Sequence, residues 1–199
     1  MAWIALLRHG ITEWNERGWI QGRRDIPLSA RGVETLKQAR PAPAFLSAQW
    51  MCSPLQRATQ TAAILNPHAR AQTEDALIET DWGEFEGIRR DRLEARIREL
   101  GITPPRGLDF APPGGESPRA VRRRMLRWLQ TRADAPGGTV AVTHKGVIRS
   151  ALSAACDWDM REDFHRKADW SLPHVFCFSR GALQLARLNC PWDEPPGPG

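Results

Sequence analysis

Two histidines stand in similar settings in this sequence, and both are candidates for chemistry. Each ends an apolar run: His9 lies between Arg8 and Gly10, and His144 is followed by Lys145. Imidazole can serve as a nucleophile, a proton carrier or a metal ligand, whereas guanidinium pairs with phosphate. The combination predicts either an anion pocket or a metal centre.

A metal centre is the less favoured of these two interpretations. Arginines such as Arg8 would repel a cation, and no carboxylate or cysteine stands at ligand spacing from His9 or His144. We therefore expect an anion pocket, with no metal ligands and no cofactor.

Both histidines are expected at the ends of buried strands. The run from Trp3 to Leu7 is apolar, and the run from Thr139 to Thr143 is β-branched and uncharged. In open α/β sheets the carboxyl ends of the strands face the ligand crevice. The two imidazoles are therefore predicted to meet at the mouth of one pocket.

Other segments predict the rest of an α/β fold. We expect strands at 48–52 and 76–78, a hairpin from 175–178 and 183–188, a helix capped by Ser29, and a pocket-lining loop over 14–25. The hairpin gives the sheet at least one antiparallel strand.

A further helix is predicted to begin at Ser53. Ser53 is expected to be its N-cap, with Pro54 at the first helical position and Gln56 completing a capping box. Arg57 then lies in the first turn, where a cation is mildly unfavourable. Its presence there indicates a negatively charged ligand.

The chain is basic, with a formal charge of +5. All but three of its 28 basic residues are arginines, and the segment from Arg119 to Arg132 has helical spacing. No aromatic platform or groove-reading motif accompanies these arginines. We expect a solvated helix face beside the pocket, and neither a nucleic acid nor a membrane as partner.

Length and composition favour one domain over residues 1–199, with a lid at about 88–118 and a disordered, Pro- and Gly-rich tail at 191–199. The four cysteines show no paired spacing. No signal peptide or membrane-spanning run is evident. These features predict reduced thiols and a cytoplasmic location, and they leave the oligomeric state open.

Motifs along most of the chain resemble those of the histidine phosphatase superfamily, the phosphoglycerate-mutase-like proteins, in its phosphatase branch. They are Arg8 to Gly10 with Thr12, Asn15, Gln21 and Gly22; 28–32; Ser53, Pro54, Leu55, Arg57 and Thr61; 79–87; 114–117; and 143–149. The resemblance implies a three-layer α/β/α sandwich with a mostly parallel central sheet containing an antiparallel strand.

The resemblance also implies a phosphomonoesterase that needs no metal and acts on a small phosphorylated metabolite. His9 would form a phosphohistidine, Glu79 would protonate the leaving oxygen, and His144 would contact the phosphoryl oxygens. Six residues would hold the phosphate: Arg8, Asn15, Gln21, Gly22, Arg57 and Lys145. The family usually has a small residue at the position of Lys145, so the contribution of this side chain is open.

Two other functions fit the same motifs. One is a phosphoglycerate-type mutase, although mutases of the family have longer insertions around the substrate. The other is a module that binds a phosphorylated ligand without turnover, against which the retention of Arg8, His9, Arg57, Glu79 and His144 argues. The short lid and the run from Gly114 to Ser117 are also similar to those of α-ribazole-phosphate phosphatases.

Overall fold

The computed structural model describes residues 2–102, 107–133, 137–179 and 181–196, and this part of the chain contains one six-stranded sheet. The strands are β1 (Trp3–Arg8), β2 (Gln49–Cys52), β3 (Gln72–Thr73), β4 (Thr139–Thr143), β5 (His174–Ser179) and β6 (Ala182–Arg187). Their order is β3-β2-β4-β1-β5-β6. Among them only β5 is reversed, since it pairs antiparallel with β1 and β6 while the other pairs are parallel. The predicted mostly parallel sheet is confirmed.

Helices cover both faces of the sheet. They are α1 (Glu13–Glu16), α2 (Ala30–Lys37), α3 (Pro43–Leu46), α4 (Gln56–Leu65), α5 (Leu93–Glu99), α6 (Pro118–Gln130) and α7 (Lys145–Ala155), with 3-10 turns at Asp75–Leu77, Gly83–Phe85 and Arg90–Arg92. Alternate residues of β1 face opposite layers, as strand geometry requires. Ile4 and Leu6 pack with α6 and α7, whereas Ala5 and Leu7 pack with α3 and α4. The three-layer α/β/α sandwich is therefore confirmed.

The two central strands β1 and β4 end at the same edge of the sheet. Their parallel register pairs Arg8 with Thr143, and the amide of His9 donates to the Thr143 carbonyl at 2.9 Å. His9 and His144 are the residues that follow this last pair. The register alone therefore brings the two predicted histidines side by side.

Two local predictions were wrong. Residues 14–25 do not form only a loop, because α1 begins inside a capping box in which Thr12 and Asn15 bond each other's backbone amide. Residues 76–78 do not form a strand: Glu74 caps a 3-10 turn by accepting from the Ala76 amide at 3.0 Å. The edge strand is β3, at Gln72–Thr73.

The predicted cap of α4 was also wrong. The N-cap residue is Leu55, and the amide of Gln56 donates instead to Asp25 at 2.7 Å. Ser53 lies before the helix, where its hydroxyl accepts from the Leu55 amide at 3.3 Å. Arg57 nevertheless falls in the first turn, as expected.

The predicted lid and tail both contact the body of the domain. Residues 88–118, of which 103–106 lie outside the described residues, include α5, and Ile97 of this helix packs in a small cluster with Ile20 and Phe85. In the tail, Trp192 packs edge-on against Phe45. Trp192 of the tail therefore packs on the domain, 193–195 are exposed, and 197–199 lie outside the described residues.

Helix α2 begins at its predicted cap, Ser29, whose hydroxyl accepts from the Gly32 amide at 3.1 Å. The helix backbone passes close to the segment after His9, since a Cβ at Gly32 would lie 2.1 Å from the Ile11 carbonyl oxygen. Only a glycine allows this approach.

No helix in the described part of the chain is long and apolar enough to cross a membrane.

Replacing Gly32 by Ala is expected to destabilise the fold, because the added methyl group would meet backbone that cannot rotate away. We expect a loss of about 1–3 kcal/mol in the free energy of unfolding, measured by urea denaturation. The control is Arg31→Ala, one residue away and exposed, which should stay within about 0.5 kcal/mol of the wild type. Equal stabilities for the two variants would contradict the close approach.

Candidate active site

His9 is held as a neutral imidazole with its lone pair on Nε2. Its Nδ1 lies 2.7 Å from the carbonyl oxygen of Gly10, which can only accept, so Nδ1 must carry the proton. Burial, followed by the charges of Arg8 and Arg57, holds the pKa of His9 well below its ordinary value of 6.5. A neutral ring nitrogen with a free lone pair is what a nucleophile requires.

His144 lies behind His9, with ring centroids 5.1 Å apart, and is fully buried. Its Nδ1 accepts from the Nε of Arg57 at 3.3 Å, so its Nε2 carries the proton and donates to the Ser53 hydroxyl at 2.8 Å. Burial and the adjacent Arg57 lower the pKa of His144 well below the usual value. In this arrangement His144 contacts Arg57, and its predicted contact with a phosphoryl group stays a prediction.

Arg57 is a buried cation fixed by three hydrogen bonds. Besides the bond to His144, its two terminal nitrogens donate to the carbonyl oxygens of Gly22 and Arg24, both at 2.7 Å. Burial lowers the pKa of Arg57 to about 10, against the opposing effect of Glu79. The guanidinium therefore keeps its charge at pH 7 and cannot swing out of the pocket.

A narrow pocket of about 30 Å³ opens in front of His9. The residues that line it are Arg8, His9, Asn15, Ile20, Gln21, Gly22, Arg57, Glu79, Trp82, Arg90 and Lys145. This set includes all six residues predicted to hold a phosphate, together with His9 and Glu79. His144 is the one predicted site residue that lies behind the pocket wall.

Donors converge on this pocket. The amide oxygens of Asn15 and Gln21 lie within 3.2 Å and 2.9 Å of the Thr12 hydroxyl, which leaves their NH₂ groups as donors. The Nε of Arg8 is buried and has no partner among the described residues. Burial lowers the pKa of Arg8 as well. Such a concentration of unused N–H groups favours an anion.

Glu79 is oriented by backbone amides. One carboxylate oxygen accepts from the Thr80 amide at 2.8 Å, and the other accepts from the Gly146 amide at 3.3 Å. A Cβ at Gly146 would lie 2.4 Å from the Glu79 carboxylate. Glycine at this position therefore lets the start of α7 approach the acid.

Arg124 is a further residue of the site, although its sequence neighbourhood predicts a solvated helix face. Arg124 of α6 instead donates to the carbonyl oxygens of Ala76 and Ile78, both at 2.6 Å, and pairs with Glu116 at 3.0 Å. These contacts fix the segment that ends at Glu79. Nothing local marks Arg124 among its arginine neighbours, because the carbonyl groups that it binds lie more than forty residues away.

Lys145 lies at the edge of the pocket, with its ammonium 5.0 Å from the centroid of the Trp170 ring. Burial, followed by the charges of Arg90 and Arg149, lowers its pKa. Among the described residues, no group of three or more His, Cys, Asp and Glu side chains is arranged to hold a metal ion. The site instead collects positive charge around His9.

The fold and the site define an α/β protein with a histidine-centred anion pocket at the carboxyl ends of two parallel strands. The chain belongs to the histidine phosphatase superfamily, branch 1, whose sequence profile matches residues 4–191. This membership confirms the family expected from the motifs.

Similar proteins include both mutases and phosphatases. The 2,3-bisphosphoglycerate-dependent phosphoglycerate mutase of Azorhizobium caulinodans is 33% identical over 138 residues, covering 63% of this chain and 66% of the mutase. This chain thus spans just under two thirds of that relative's length. A mycobacterial glucosyl-3-phosphoglycerate phosphatase, solved with VO3, has a TM-score of 0.75 at 22% identity and covers 96% of this chain and 100% of its own. TTHB049 of Thermus thermophilus has a TM-score of 0.70 at 28% identity over 94% and 99% of the two chains.

The buried neutral histidines predict acid sensitivity. Unfolded histidine binds a proton below pH 6.5, whereas folded His9, His144 and His174 have lowered pKa values, so stability is full above pH 6.5 and falls as the pH drops. In phosphate-free buffer, the free energy of unfolding should decrease between pH 7 and pH 5. His144→Asn should reduce this slope by up to about 1.4 kcal/mol per pH unit.

The control for this measurement is His68→Asn, which changes an exposed histidine. It should leave the slope as in the wild type. Parallel pH profiles for wild type and His144→Asn would show that burial of His144 does not resist protonation.

Proposed function

We propose that the protein is a metal-independent phosphomonoesterase that hydrolyses a small phosphorylated metabolite through a phosphohistidine. The observation that carries the proposal is the state of His9. Its Nδ1 proton is held by the Gly10 carbonyl, and its Nε2 is left unprotonated beside Arg8 and Arg57. That arrangement suits attack on a phosphorus atom whose oxygens are neutralised by guanidinium groups.

The first step forms a bond from His9 Nε2 to phosphorus and breaks the bond from phosphorus to the ester oxygen. A protonated Glu79 gives its proton to the departing oxygen, which leaves as an alcohol. Arg8 and Arg57 carry the charge of the phosphoryl oxygens, with the NH₂ groups of Asn15 and Gln21 as further donors. Fixed donors of this kind are each worth roughly 10²–10³ in rate.

In the second step water attacks the phosphohistidine. Glu79, now a carboxylate, takes a proton from the water as its oxygen bonds to phosphorus, and the bond to Nε2 breaks. Inorganic phosphate leaves, and His9 returns to its neutral form with Nδ1 still bonded to Gly10. We propose that the described part of residues 88–118 forms the lid over the leaving group, since Arg90 and Glu116 line the space beside the pocket.

A mutase is the second candidate, supported by the similarity to the Azorhizobium mutase. It would share the first step and return the phosphoryl group to another hydroxyl. Assaying phosphate release and phosphoglycerate isomerisation on the same preparation separates the two. Isomerisation exceeding hydrolysis would replace the phosphatase proposal.

Removing the nucleophile should abolish turnover. For hydrolysis of 4-nitrophenyl phosphate in the presence of EDTA, we expect full wild-type activity and a loss of at least about 10⁴-fold in His9→Ala. The control His68→Ala changes an exposed histidine and should be active. Activity that disappears on chelation would favour a metal enzyme, and activity retained in His9→Ala would remove His9 as the nucleophile.

Removing the acid should matter most for poor leaving groups. Glu79→Gln is expected to lower kcat/KM by about 10²–10⁴ for an alkyl phosphate, because an alkoxide needs a proton to leave. The loss should be much smaller for 4-nitrophenyl phosphate, since nitrophenolate leaves unprotonated. Glu84→Gln, at an exposed position nearby, is the control. Equal losses for both substrates would show that Glu79 does not protonate the leaving oxygen.

A further inference from the structure

A second and much larger cavity, of about 630 Å³, adjoins the phosphate pocket. The two spaces share Glu79, Trp82, Arg90 and Lys145 in their walls. Because Glu79 stands at the boundary and is the proposed proton donor to the ester oxygen, the leaving group of the substrate would occupy the larger cavity. The chemistry of this cavity therefore bears on which phosphate esters are accepted, and this inference rests on the proposed function.

Besides Arg161, three cations line the wall of this cavity: Arg90, Lys145 and Arg149. Arg90 and Lys145 line both spaces. Arg149 follows Lys145 by one turn of α7, about 6 Å further along the helix axis. Like charges at this spacing repel each other and weaken a helix. The placement of Lys145 and Arg149 one turn apart in a cavity therefore does not serve the stability of α7, and binding of an anion is the alternative reason for it.

None of these three cations forms an ion pair within the described part of the chain. Lys145 and Arg149 lie instead over indole rings, with Arg149 4.7 Å from the centroid of Trp158. Cation–π contact positions a charge without neutralising it. Burial lowers the pKa of both Lys145 and Arg149, and the charge of Arg90 adds to this effect on each.

One carboxylate, the proposed proton donor Glu79, stands at the boundary and lines both spaces. Glu116, Glu162 and Asp163 line the larger cavity but not the phosphate pocket. Glu116 is already paired with Arg124 at 3.0 Å and with Arg23 at 3.3 Å. Asp163 raises the pKa of Arg149 from a distance, without an ion pair. Lys145 and Arg149 thus face the cavity from one side of α7 without an ion pair to any of these carboxylates.

From this geometry we infer that the leaving group carries a second anionic group, a carboxylate or a second phosphate, bound by Lys145 and Arg149 with Arg90 at the rim. The substrate is then a small phosphate ester with two separated anionic groups. Lys145 and Arg149 are the residues that determine this specificity. An ester with a neutral leaving group of the same size would leave the three cations without a partner.

Binding tests the inference without requiring turnover. The probes are 3-carboxybenzylphosphonate and its neutral partner 3-carboxamidobenzylphosphonate, which have the same size and cannot be hydrolysed, with dissociation constants measured by calorimetry. The wild type should bind the carboxylate about 10- to 100-fold more tightly, as expected for one charge-assisted contact. A matched bisphosphonate identifies which of the two anions is preferred.

The variants Lys145→Met and Arg149→Met should each lower this selectivity ratio several-fold or more, while folding is checked by circular dichroism. Arg161→Met is the matched control, because Arg161 lines the same cavity but is paired with Asp159 at 3.7 Å. A wild-type ratio near one, or an equal loss of selectivity in Arg161→Met, would overturn the assignment.

Hydrolysis of the corresponding 3-carboxyphenyl and 3-carboxamidophenyl phosphates separates this inference from the proposed function. Phosphate release from both esters at similar kcat/KM would keep the phosphatase and remove the second anion site. Selective phosphonate binding with no release from either ester would keep the anion site and remove the phosphatase.

Discussion

The parallel pairing of β1 with β4 is the constraint on which the whole site depends. Its register sets Arg8 beside Thr143, so the next residue of each strand is a histidine, and the two rings meet 5.1 Å apart. Both rings are buried among guanidinium groups, where a charged imidazole would be costly. The neutral state of His9 is therefore a consequence of the fold, and the Gly10 carbonyl then decides which nitrogen keeps the lone pair.

Helix α4 and the loop before α2 fix each other. Asp25 of the loop supplies the acceptor for the Gln56 amide that Ser53 was expected to supply, and the loop carbonyls of Gly22 and Arg24 accept from Arg57. With Asp25 at the helix start, the Ser53 hydroxyl is available to His144. A substitution that moves this loop would therefore alter the hydrogen bonds of both Arg57 and His144, although neither residue is adjacent to the loop in sequence.

The replacement of Ser53 by Asp25 as the acceptor for the Gln56 amide illustrates what could and could not be predicted from the sequence. The ends of β1 and β4 were predictable, because a buried strand and the residue after it are local patterns, and Ser29 caps its helix as expected. Asp25 as a cap and Arg124 as an anchor for the Glu79 segment were not. Each depends on a partner brought near only by folding, and their residue types are equally common on solvated surfaces.

The arrangement of charge in the site opposes stability. Besides burial, the charge of Arg8 lowers the pKa of Arg57, and the charge of Arg90 lowers the pKa of Arg8. Arg8 and Arg57 together lower the pKa of His9. Repulsion between buried cations lowers the stability of the ligand-free protein, and such repulsion is typical of sites where an anionic ligand offsets it. A bound anionic ligand would supply the missing partner for Arg8 Nε and for Arg90, Lys145 and Arg149. Its binding would stabilise the folded state by mass action. At Arg124 the protein neutralises a cation internally through an ion pair with Glu116. The cations of the site have no such partner among the described residues, which is understandable if a bound anion completes their ion pairs.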